Sequence, residues 1–245
     1  MKLFRSAVPA ALLSFAGILA GAAPADAILL DPTERGSYRG DINIFGTGGA
    51  GTAIGNFQTG INGPELRSFF NFDLSGISGT VTAATFSINL IGTFGSGAPG
   101  STTFGLAPIT TETISIFDVT TDIDALVTNA GGAAAFADLG DGFSYGSASV
   151  STDTVSGTLD FVFDATGLAN VNAAVGGNFA LGGALTSIDG GQGFEFLFGD
   201  SQDVQSTTRL NLQVRTDPVP EPSVYGVLAV GLVGIVALRR RRHVI

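Results

Sequence analysis

The chain has 245 residues, a formal net charge of −10, no cysteine, no tryptophan and a single histidine, His243. Absent thiols exclude disulfide staples, thiolate metal sites and cysteine nucleophiles, and one terminal imidazole leaves no Ser-His pair or histidine-ligated zinc for the body of the chain. Glycine is plentiful at 36 residues, yet 44% hydrophobic content and 19 phenylalanines supply the apolar surface for a packed core, which excludes a disordered low-complexity chain.

At the N-terminus Lys2 and Arg5 precede an apolar stretch over residues 7–23, which closes with Ala25-Asp26-Ala27. A basic start, an apolar run and a small-x-small box are the parts of a secretory signal, so residues 1–27 read as a signal peptide cleaved at the Ala25/Ala27 box. The competing reading is an uncleaved membrane anchor. The exported domain is then residues 28–217, a size that fits one domain. It holds five arginines against 19 carboxylates, a balance of −14, and no lysine. Phosphate binding needs clustered cations, so nucleic acid is excluded as a partner.

Within that domain Gly46-Thr-Gly-Gly-Ala-Gly51 satisfies a GxGxxG spacing after an apolar run. Gly55, Gly60, Gly63 and Pro64 prevent the helix a dinucleotide would need, so the segment reads as a flexible loop. Period-two patterning then dominates. Ser68, Phe70, Phe72 and Leu74 alternate with Arg67, Phe69, Asn71 and Asp73, and Thr82, Ala84, Phe86, Ile88 and Leu90 form one face of the next run. Residues 113–119 continue the pattern. Between Thr120 and Ala130 the rhythm changes: Ile123, Leu126 and Val127 fall at helical spacing, with Thr120 or Thr121 as N-cap, which predicts a short crossover helix. Leu159, Phe161 and Phe163 against Asp160, Val162 and Asp164, then residues 194–198, then Leu210, Leu212 and Val214 within 209–215, complete the strands. Alternation of aromatic and β-branched residues between Gly/Ser/Asp turns predicts an all-β fold, an antiparallel β-sandwich with that one short helix.

Carboxylates are the only acid-base groups in quantity. Glu65, Glu112 and Glu195 with neighbouring aspartates allow a paired-carboxylate glycosidase, but the domain offers no tryptophan and only Tyr38 and Tyr145 as polar aromatics for sugar platforms. A hard cation is the better match for Asp118, Asp122 and Asp124, and for the acidic turn carrying Asp138 and Asp141, which makes calcium the one candidate cofactor. The same aspartates equally suit helix caps and turns. No catalytic set is present, and a noncatalytic role follows.

After the domain come Val219, Pro220, Glu221, Pro222 and Ser223, then an uncharged run over residues 224–238, then Arg239, Arg240, Arg241 and Arg242. Fifteen apolar residues make a short spanning helix, and arginines beyond it place the tail (239–245) in the cytoplasm and the acidic domain outside. Two prolines two apart hold the motif extended, the form proteases bind. In this order and place, residues 218–245 resemble the PEP-CTERM sorting signal of exosortase-processed bacterial surface proteins. That resemblance implies an inner-membrane-anchored precursor, cleavage by an exosortase-type enzyme near Pro220–Pro222, and release to the cell surface or extracellular matrix of a Gram-negative-type bacterium, where exopolysaccharide is the expected neighbour. The central domain has a second likeness. Arg67-Ser-Phe-Phe-Asn-Phe-Asp-Leu-Ser75, Val81-Thr-Ala-Ala-Thr-Phe-Ser-Ile88, Phe117-Asp-Val-Thr120 and the closing Leu-Asn-Leu-Gln-Val strand resemble the DNRLRE-type jelly-roll modules of bacterial surface proteins. This likeness implies a jelly-roll-like sandwich with adhesive or glycan-binding use, without carrying over any catalytic residue.

Overall fold

The structure, a computed structural model, describes residues 25–40, 44–45, 56–62, 64–91, 102–106, 111–128, 130–151, 156–188, 194–199 and 208–215. In chain order the strands β1 (Asp26–Leu30), β2 (Glu34–Arg39), β3 (Ile44–Phe45), β4 (Phe57–Asn62), β5 (Glu65–Asp73), β6 (Thr80–Ile91), β7 (Thr102–Leu106) and β8 (Thr111–Asp118) come first. Helices α1 (Ile123–Val127) and α2 (Gly132–Asp138) follow, then β9 (Ser144–Ser151), β10 (Ser156–Val162), α3 (Ala165–Ala174), β11 (Asn178–Leu185), β12 (Phe194–Gly199) and β13 (Thr208–Arg215).

Every strand pairing is antiparallel. A four-stranded sheet runs β1-β13-β6-β10, and a larger one runs β7-β12-β4-β5-β11-β8-β9, with β2 joined to β5 and β3. Their inner faces share a phenylalanine core. Phe70 of β5 lies 5.0 Å from Phe86 of β6, which also meets Phe72 at 6.0 Å and Phe161 of β10 at 6.0 Å. Leu210, Leu212 and Val214 of β13 complete this layer, all buried as their alternation dictates. The all-β antiparallel sandwich is thus present.

Three features depart from the sequence reading. First, β5 is buried on both faces, where alternation in a two-layer sandwich implies burial of one. Phe69 points away from the main core, and α1 and α2 cover it with Leu126, Ala135 and Leu139, together with Tyr38 and Ala180. An apolar residue on the outer face needs a third layer, and the two helices provide it. Second, the segment read as a crossover helix connects β8 to β9, which are neighbours in one sheet. A helix that does pass between the sheets is α3, which links β10 to β11 and which the alternation did not signal. Third, α1 is capped by Asp122, whose carboxylate accepts from Ala125 N at 3.2 Å, and neither Thr120 nor Thr121 serves as cap. Those threonines instead bind Asp138.

Two bulges steer side chains that matter below. In β6 the register with β13 skips Thr82, so Val81 and Ala84 both face inward. In β9 the register with β8 skips Tyr145, between Ser144 opposite Phe117 and Gly146 opposite Ile116. Gly146 takes φ +145°, a conformation that glycine permits.

Candidate binding cleft

The bulge in β9 drives Tyr145 into the core, where its ring stacks on Phe163 at 4.5 Å and meets Phe179 edge-on at 5.8 Å. Its hydroxyl emerges at the rim. It donates to Asp118 Oδ1 at 2.6 Å and accepts from Asn170 Nδ2 at 3.1 Å, tying the end of β8 to α3. Burial, then the Asp118 carboxylate, pushes the phenol well above its ordinary pKa, so the group stays a donor throughout the physiological range. Asp118 and Asn170 are therefore held in fixed positions by a single hydroxyl.

These residues open onto a cleft of about 440 Å³. Its walls are Asp118, Val119, Thr121, Asp122 and Ile123 on the β8–α1 side and Asn170, Ala173 and Ala174 on α3, and the first residues of β11, Asn178, Phe179 and Ala180, form the floor. Asp164 caps α3 by accepting from Gly167 N at 2.8 Å, which fixes the helix start. Asn172 fixes its other end: Oδ1 accepts from Val81 N at 2.8 Å while Nδ2 donates to Val81 O at 2.9 Å and to Leu168 O at 2.8 Å.

The five aspartates considered for calcium separate into distinct roles. Asp118 holds Tyr145 and Asp122 caps α1. Asp124 lies exposed in the first turn of that helix. Asp141 accepts from Gly142 N at 2.7 Å. Asp138 accepts four hydrogen bonds, from the backbone N–H and hydroxyl of Thr120 (2.9 and 2.8 Å) and of Thr121 (2.7 Å each). Partial burial works to raise its pKa, and the bonds from Thr121 and Thr120 outweigh that and hold the carboxyl below the ordinary range. Among the described residues no three acidic or histidine groups gather as a metal ligand set. Two of the three glutamates weighed as glycosidase partners are likewise engaged, and the side chain of Glu195 lies outside the described residues. Glu65 pairs with Arg67 Nε at 3.0 Å, and Glu112 is buried and accepts from the Ser187 hydroxyl.

Sequence reasoning singled out Asp118, Asp122 and Thr121 but neither Asn170 nor Asn178, the other polar residues of the lining, and it weighed Tyr145 as a sugar platform rather than as the group that holds Asp118 and Asn170. The one available signal was Tyr145-Gly146, an aromatic before a glycine inside an alternating run, which is where a bulge turns a side chain.

The residues beyond the domain are decided by comparison. Residues 218–242 match the PEP-CTERM protein-sorting motif. The chain carries a PEP-CTERM sorting signal. Val219, Pro220, Glu221, Pro222 and Arg239 to Arg242 stand within the matched stretch, and the signal marks an exported protein processed by an exosortase-type enzyme. No curated protein matches the chain. Residues 1–24 of the expected signal peptide, the Gly46–Gly51 loop and the apolar run at 224–238 lie outside the described residues. Of the cleavage box, Ala25 precedes β1, and Asp26 and Ala27 are its first residues. Among the described residues no helix is long and apolar enough to cross a membrane.

Proposed function

We propose that the β-sandwich is the noncatalytic cargo of the PEP-CTERM pathway, anchored in the inner membrane through residues 224–238 and then delivered to the cell surface or the exopolysaccharide matrix. The match at residues 218–242 carries this reading. Two properties of the domain support it. Residues 28–217 contain no histidine, cysteine or lysine, which leaves carboxylates and two tyrosines as their proton-transfer groups. Four of the five aspartates weighed for calcium, Asp118, Asp122, Asp138 and Asp141, hold hydrogen bonds within the fold. A net charge of −14 over the same residues favours a hydrated, dispersed protein outside the cell.

Replacing Pro220, Glu221 and Pro222 together by alanine tests the sorting step. The variant is expected to retain its C-terminal tail in membrane fractions, while the parent loses it and appears at the surface or in the medium. Equal loss of the tail from both proteins would overturn the proposal.

A further inference from the structure

We propose that the cleft between α1 and α3 binds one sugar unit of a polysaccharide, uncharged or amino-substituted, with Asp118, Asp122, Asn170 and Asn178 reading its hydroxyl and ammonium groups. This assignment rests on the reading of the domain as exported, noncatalytic cargo. The lining sets the chemistry. Among the described residues no lysine or arginine lines the cleft, while two carboxylates and two carboxamides do. Asp118 spends Oδ1 on Tyr145 and Asp122 spends Oδ1 on Ala125 N; among the described residues the second oxygen of each takes no hydrogen bond. Asn170 spends its amide nitrogen on Tyr145, which leaves its carbonyl oxygen to accept. A surface so rich in acceptors asks for a ligand rich in donors, and it repels an anion.

Ligand supply separates a sugar from a bare cation. Calcium takes 6–8 oxygens at ~2.3–2.6 Å, and among the described residues no three acidic groups gather to supply them, whereas a cleft of about 440 Å³ falls within the roughly 300–1,000 Å³ of sites for small organic molecules. Val119, Ile123, Ala173 and Ala174 give the walls small apolar surfaces against which the C–H face of a pyranose can lie. Tyr145 positions rather than binds. By fixing Asp118 and Asn170 before a ligand arrives, its hydroxyl removes part of the ordering cost of association.

Saturation-transfer NMR and calorimetry on the mature exported protein test the site, with glucosamine, glucose and glucuronate as probes. Saturation transfer is expected to glucosamine and glucose, with glucosamine the tighter, and not to glucuronate, and added calcium changes none of this. Asp118→Asn should weaken glucosamine about tenfold, the lower end for a hydrogen bond to a charged group, and bring it near glucose. Asn178→Ala, a change at an exposed position on the cleft floor, should weaken both sugars several-fold and covers the case in which Asp118→Asn folds poorly. Absence of transfer to all three probes, glucuronate binding as well as glucose, or unchanged affinity in both variants would overturn the assignment. A tail lost equally from the sorting-motif variant would sink the pathway reading and leave the sugar result standing.

Discussion

Asn172 shows how the cleft depends on a bond that neither sheet nor helix makes by itself. Pairing between β10 and β6 ends at Val162 opposite Thr85, with one further bond from Phe163 N to Ala84 O at 3.0 Å. Beyond that point the same edge of β6 has lost its neighbour, and the Asn172 carboxamide stands in for a strand by bonding both the N–H and the carbonyl of Val81. Val81 is only 2% exposed, so water cannot readily replace the lost partner. Asn172→Ala therefore orphans two backbone groups at about 1–3 kcal/mol each; we expect a total near 3 kcal/mol. For a domain of this size each kcal/mol moves Tm by roughly 2–4 °C, so the midpoint should fall by about 6–12 °C in scanning calorimetry. Asn172→Asp separates the hydrogen bonds from mere packing. It keeps the acceptor for Val81 N but turns an oxygen toward the carbonyls of Val81 and Leu168, so at neutral pH it should destabilise at least as much as alanine and recover partly as acid protonates it. A loss under about 1 kcal/mol for Asn172→Ala, or an aspartate variant indifferent to pH, would refute the account of α3 as pinned through its carboxamide.

The third layer makes its own demand. A Cβ on Gly182 would sit 2.6 Å from the carbonyl oxygen of Leu139, so Gly182→Ala must push the end of α2 off the sheet at a cost of roughly 1–3 kcal/mol, read as a lower urea midpoint, whereas an unchanged midpoint would mean that α2 is not seated there. Asp138 gives a pH signature. Its folded pKa lies below its ordinary value of 3.8, so its contribution is complete above that value and is lost as pH falls through the folded one. The gap in unfolding midpoint between the parent and Asp138→Asn should accordingly be steady at neutral pH and narrow below about pH 4; a gap that persists at pH 2 would show that the four bonds do not depend on the charge.

Alternation made the inner faces legible because burial there is one-sided. Leu210, Leu212 and Val214, or Leu159, Phe161 and Phe163, report a face directly, and each triplet is buried. Where burial is two-sided the signal fails. β2 reads Glu-Arg-Gly-Ser-Tyr-Arg, yet its four central residues are buried, with Arg35 over the Phe57 ring at 5.3 Å and donating to Thr208 Oγ1 at 3.3 Å across to the other sheet. Nothing local says that this guanidinium crosses the sandwich. β11, Asn-Phe-Ala-Leu-Gly-Gly-Ala-Leu, has small residues because α2 and Phe70 press on it from either side, and small residues carry no periodicity. The cleft was half visible for the same reason. Its carboxylates stand at the end of β8 and in the string just after it, while Asn170 and Asn178 come from distant segments that only the tertiary fold brings near.

The order of the strands also bears on how the expected N-terminal signal and the PEP-CTERM signal meet the domain. β1 and β13 are neighbours, with Asp26 opposite Val214, so the chain enters and leaves the sandwich at the same end of one sheet. Residues leading in from the N-terminus and out toward Val219 thus start side by side, so on the proposed route the sandwich can close while both flanking segments are held at one membrane face. The register also sets what each cut leaves behind. Cleavage after Ala27 removes Asp26 and Ala27 from the pairing and leaves Ile28, Leu29 and Leu30 opposite Leu212, Asn211 and Leu210. Ile28 and Leu30 are the two that pack on the core while Leu29 faces out, so the apolar contacts of β1 survive on either side of that cut. Cleavage near Pro220–Pro222 lies past Arg215, the last residue of β13, and leaves every described pairing of the sandwich intact. Processing at both ends is therefore compatible with a finished fold, which is what the proposed release from an anchor requires.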